Sequence, residues 1–110
     1  MDRRQPSPAT LRMYEQVAAR LAEHSAVKAS SMFGMPTLKL DGKALAGIHG
    51  DAMVFKLSGE GHADALRLPG AHLFDPSGMG RPMKAWVAVP AEQAEEWERL
   101  AELALAAIDR

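Results

Sequence analysis

Four histidines, His24, His49, His62 and His72, are the first residues to weigh for chemistry, because imidazole binds metals and moves protons near neutral pH. A helical zinc site sets two of them four residues apart, usually with further histidine, cysteine or carboxylate ligands. No pair has that spacing, and the chain contains no cysteine. His62 and Asp64 stand two apart at a helix start, a poor geometry for sharing one ion. Scattered surface histidines and no metal are the expectation. The serines (Ser7, Ser25, Ser30, Ser31, Ser58 and Ser77) include none in a G-x-S-x-G nucleophile elbow. Glu95, Glu96 and Glu98 crowd the last helix, but a wet helix face has no apolar pocket to raise a carboxyl pKa for acid–base work. With no catalytic set, the sequence predicts a non-enzyme that needs no cofactor.

One loop invites a different chemistry. Gly78-Met79-Gly80-Arg81-Pro82-Met83-Lys84 combines glycines with two cations, a pattern that can cradle phosphate in backbone N–H groups. It lacks the Gly-Lys-Ser/Thr ending of a P-loop, and it leads into a strand rather than a helix N-terminus. A tight turn with Arg81 in water is the simpler account. Methionine supplies a second signal: Met32 and Met35 bracket Phe33-Gly34, and Met79 and Met83 bracket Gly80. Its flexible thioether either fills irregular core gaps or lines adaptable binding surfaces, and the sequence leaves both open. On the binding reading, Met32, Phe33, Met35, Met79, Arg81, Met83 and Lys84 form the candidate partner-binding set, two loops converging as an apolar patch rimmed by arginine.

The elements that must position these residues follow from periodicity. Ser7 and Pro8 suit the cap and first position of a helix over 8–24, with Leu11, Tyr14, Val17, Ala18 and Leu21 on one stripe. Strands are predicted from Lys28 to Phe33, Thr37 to Asp41, Lys43 to Ile48 and Ala52 to Leu57. Asp41-Gly42 is a strong hairpin signal, and short loops make the four strands an antiparallel meander. A short helix over 62–68, a brief edge strand over 71–76, a strand from Lys84 to Val89 buried on both faces, and a last helix from Pro90 to about Ile108 complete the chain. The order α-β-β-β-β-α-(β)-β-α predicts a two-layer α+β domain with helices on one face of an antiparallel sheet. The other face is left for solvent or a second subunit. Leu103 and Leu105 widen the apolar sector of the last helix enough to reach a partner chain.

Composition bounds the rest. The chain has 110 residues, 47% hydrophobic and 25% charged, enough for one core without staples. Residues 1–8 read as a flexible N-terminal arm and 9–110 as a single domain. No apolar run approaches the roughly 20 residues that span a bilayer, and the basic start is followed by no apolar stretch that would make a secretory signal. A cytoplasmic location is therefore expected. Net charge is −1, but residues 1–56 carry a basic excess and 57–110 an acidic one. Nucleic-acid binders usually show an overall basic excess, so the net charge does not favour that class.

Met32-Phe33-Gly34, Asp41-Gly42-Lys43, Phe55-Lys56, Gly80-Arg81-Pro82-Met83-Lys84-Ala85-Trp86-Val87 and Val89-Pro90, taken in order, resemble the TfoX/Sxy N-terminal domain family over roughly residues 10–108. Pro36 departs from that family's glycine-rich version and is closer to the related YjbR-like proteins. The resemblance implies a two-layer α+β domain of the kind also seen in secretion chaperones, a homodimer, no enzyme activity and no cofactor. Founding members are competence regulators that act on transcription and carry a second, C-terminal domain with no counterpart in these residues. The expected function is thus a small interaction or regulatory module that binds a protein partner. The alternative is a transcription-linked nucleic-acid binder using Arg3, Arg4, Arg12, Arg20, Lys28, Lys39 and Lys43. A third reading, an enzyme, would need an enclosed pocket joining Arg81, Lys84 and a histidine.

Overall fold

A computed structural model describes residues 6–32, 34–76, 80 and 82–108. Among these described residues six strands form one open antiparallel sheet, flanked by three α-helices and a short 3-10 segment. They follow the predicted order: α1 (Pro8–His24), β1 (Lys28–Met32), β2 (Met35–Leu40), β3 (Lys43–His49), β4 (Ala52–Lys56), α2 (Gly59–Leu66), β5 (His72–Phe74), β6 (Met83–Pro90) and α3 (Trp97–Ile108), the last preceded by the 3-10 turn Ala91–Glu96. The fold is α+β. In the sheet the strands run β1-β2-β3-β4-β6-β5, so β6 inserts beside β4 and leaves three-residue β5 as an edge. The other edge is β1.

Local chemistry explains the boundaries. Ser7 caps α1 by accepting from the Thr10 N–H at 3.2 Å. The β2–β3 turn puts Asp41 at φ 52° and Gly42 at φ 78°, the left-handed pair that a two-residue hairpin with native twist requires. Two helices depart from expectation. Helix α2 begins at Gly59 rather than near His62, because Gly59 takes φ +57° and lets the chain turn into the helix immediately. The last helix does not run unbroken from Pro90: Gln93 is non-helical (φ −109°, ψ 24°) and the α-helix proper begins at Trp97.

One face of the sheet carries the main core. Tyr14, Val17 and Leu21 of α1, and Trp97, Leu100, Ala101 and Ala104 of α3, pack on Leu38, Leu40, Ile48, Met53, Phe55, Val87 and Val89. A β-bulge opposite Leu38/Lys39 turns both Leu45 and Ala46 into this core, where strict alternation would expel one of them. Each large side chain buried here contributes about 1.5–3 kcal/mol. Trp97, fully buried, also donates its Nε1–H to the Val89 carbonyl at 3.2 Å, which locks α3 to β6.

The other face is not left bare for solvent. Met35, Val54, Phe74, Trp86 and Ala88 form a second buried cluster there, with Met32, Ala44, Ala52 and Met83 partly buried against it. Val54 is 0% exposed although no described helix lies over it. Long side chains lying over small neighbours explain this. Gly47 shows the device: a Cβ built there would come 2.8 Å from Met35 Cε and 2.9 Å from the Pro36 carbonyl oxygen. Lys-Ala-Trp-Val-Ala-Val is accordingly buried on both faces from Trp86 to Val89.

Candidate interaction surface on the helix-free side of the sheet

Three of the seven candidate binding residues are brought together. Met32 ends β1, Met35 opens β2 and pairs with it, and Met83 opens β6; all three join the cluster around Phe74 and Trp86. Met35 is buried at 4% exposure, whereas Met32 and Met83 are half-buried at the rim. Lys84 is exposed, at the irregular start of β6 where Phe74 pairs with Met83 but Leu73 with Val87. Phe33, Met79 and Arg81 lie outside the described residues, as do Met1 to Gln5 of the arm and Ser77 and Gly78 of the glycine loop. Periodicity missed Phe74 and Trp86 as anchors of this surface. The signal was present in the apolar stretch around Trp86, since a strand buried on both faces demands a second apolar layer.

The strand faces also sort charge. Two-residue alternation places Lys28, Ser30 and Met32 of β1, and Met35, Thr37 and Lys39 of β2, on the helix-free side. Lys56, paired with Trp86, shares that side. Helices α2 and α3, on the opposite side, carry Glu60, Asp64, Glu98 and Glu102. The basic residues of the first half are therefore split. Arg20 sits on α1 and pairs with Glu98 of α3 (Nε to Oε1, 3.2 Å), away from Lys28 and Lys39.

The histidines do not gather. His49 meets Phe74 edge-on, ring centroids 5.2 Å apart. His62 Nε2 lies 2.8 Å from the Lys84 carbonyl oxygen, and His72 Nδ1 lies 3.2 Å from that of Gly70. Among the described residues no three histidines and carboxylates are grouped to hold a metal. The Asp51 carboxyl is held below its ordinary pKa by the Ser7 N–H and then by the Thr10 hydroxyl, at 3.0 and 2.9 Å. That contact is structural: it ties the β3–β4 turn to the start of α1, and it anchors Ser7 of the expected arm. Burial pushes the Tyr14 hydroxyl up, so it stays protonated.

Beside β1 runs a groove of about 450 Å3 between the strand and α1, lined by Leu11, Tyr14, Ala18, Ala29 and Leu38, with Glu15 also in its lining. No described helix is long and apolar enough to cross a membrane. No curated protein and no solved structure matches the chain. The family model of the TfoX N-terminal domain matches residues 19–110, from the last turns of α1 through every strand to the end of α3. By that match over most of its length, and with the α+β order just described, the chain belongs to the TfoX N-terminal domain family.

Proposed function

We propose that this protein is a non-enzymatic interaction module that binds a protein partner through the helix-free side of its sheet. The observation that carries the reading is the second apolar cluster, whose rim presents half-buried Met32 and Met83 beside buried Phe74 and Trp86. Adaptable thioethers at the edge of a rigid aromatic layer suit contact with another polypeptide. The test uses the full chain as bait in affinity capture from nuclease-treated lysate at two salt concentrations. A saturable protein partner retained by the wild type and lost by Met32→Asp/Met83→Asp, with the variant's near-ultraviolet circular dichroism unchanged, supports the reading. Equal capture by both proteins, or none by either, overturns it.

The same reading expects a homodimer. Leu103 of α3 is the one large hydrophobic side chain among the described residues that stands exposed, at 39%, so the outer side of α3 is the contact proposed. A monomer mass in sedimentation equilibrium at about 100 µM, where associations of ordinary strength persist, counts against it.

A further inference from the structure

We infer that edge strand β1 accepts an extended protein segment of alternating apolar and acidic residues as a seventh strand. The inference rests on the protein-binding reading above and assigns the entry point and the chemistry of the partner.

Among the described residues the edge is open: strand β1 pairs with β2 on one side only, and its first four residues are exposed. It contains no proline, so nothing in its sequence blocks backbone pairing with a further strand. The opposite edge, β5, spans three residues and pairs irregularly with β6, which makes it the poorer template.

Both sides of an added strand would find complementary surface. On the helix-free side, Lys28 and Lys39 stand directly opposite each other in the β1–β2 register. Like charges so placed repel, and neither lysine is in an ion pair among the described residues. Asp41 lines the same recess as the two lysines without forming an ion pair to either. A carboxylate on the strand next to Lys28 would neutralise this pair. On the helix side, the added strand's alternate residues would lie over the groove between β1 and α1, whose apolar walls are Leu11, Tyr14, Ala18 and Leu38. Alternation follows from the two-residue period of a strand: acidic toward the lysines, apolar toward the groove.

A polypeptide fits better than a nucleic acid. Among the described residues, Trp86 and Phe74 of the helix-free side are buried, at 5% and 3% exposure, so they offer no open ring face for base stacking. The helix side is acidic and the net charge is −1, so the molecule as a whole does not attract a polyanion.

The experiment is an NMR titration of the 15N-labelled full chain with an acetylated seven-residue peptide alternating valine and glutamate, against one alternating valine and lysine. The glutamate peptide should shift the amides of residues 28–32 and slow their hydrogen exchange, more weakly as salt rises. Lys28→Glu/Lys39→Glu should weaken that peptide about tenfold, from two exposed charge pairs turned repulsive, and should make the lysine peptide the stronger ligand. The salt dependence in the wild type reads the same charge effect without a variant. Shifts confined to the surroundings of Met83 would overturn the edge assignment and leave the protein-binding reading standing. No shift with either peptide, tighter binding of a single-stranded oligonucleotide at residues 28–32, or protection there that grows with protein concentration alone would each overturn the inference.

Discussion

Asp51 illustrates how a single side chain joins two parts of this chain distant in sequence. Its carboxylate accepts from the Ser7 N–H and the Thr10 hydroxyl, while its own carbonyl accepts from the Ala91 N–H at 2.9 Å. Both side-chain bonds favour the ionised form, so Asp51 titrates below its ordinary value of 3.8. The stability it contributes is complete above that unfolded value and is lost as pH falls through the lower folded value. Asp51→Asn should therefore lower the thermal unfolding midpoint at pH 7, and the gap to the wild type should narrow below pH 4, as followed by circular dichroism. Thr10, 3% exposed, can be tested without moving a charge: Thr10→Val should cost about 1 kcal/mol in urea unfolding. Gly47 obeys a steric rule instead. Gly47→Ala should cost about 1–3 kcal/mol, and adding Met35→Ala should recover little of it. The Met35 thioether end could yield, but the Pro36 carbonyl oxygen at 2.9 Å belongs to the backbone.

At the scale of elements, two contacts on the helix side separate burial from charge. Trp97 docks α3 on β6 by full burial and by its bond to Val89. Trp97→Phe should cost about 2–4 kcal/mol, from lost volume plus the lost indole hydrogen bond to β6. The Arg20–Glu98 bridge joins α1 to α3, but its side chains are 62% and 44% exposed. Arg20→Ala should change stability by less than about 1 kcal/mol, and by less still at high salt. The 3-10 start of the last helix was not readable from its sequence. Ala91 to Glu96 contains good helix formers, and the break at Gln93 arises where the chain must leave Pro90 and still seat Trp97 in the core.

For the molecule as a whole, sidedness is the organising fact. The helices, with Glu60, Asp64, Glu98 and Glu102, lie on one side of the sheet; Met32, Met35, Met83, Phe74 and Trp86 lie on the other with Lys28, Lys39 and Lys56. Raising salt should weaken partner binding through the basic side while leaving the apolar contacts of Met32 and Met83 in place. Isothermal titration of a captured partner at two ionic strengths would read this as a lower affinity with the negative heat-capacity change retained.

The residues by themselves determined much of the architecture. Three- and four-residue spacing set α1, the left-handed Asp41-Gly42 pair set the β2–β3 hairpin, and the ordered motifs from Met32 to Pro90 marked the family. These signals are local, because helix periodicity, capping and turn geometry act within a few residues. Tertiary structure alone decided that β6 lies between β4 and β5, and so that Met83 shares a cluster with Met32 and Met35. It also decided that Lys28 faces Lys39 on an open edge while Arg20 turns away to Glu98. Such pairings depend on strand order and register, which are settled by packing between segments far apart in the chain.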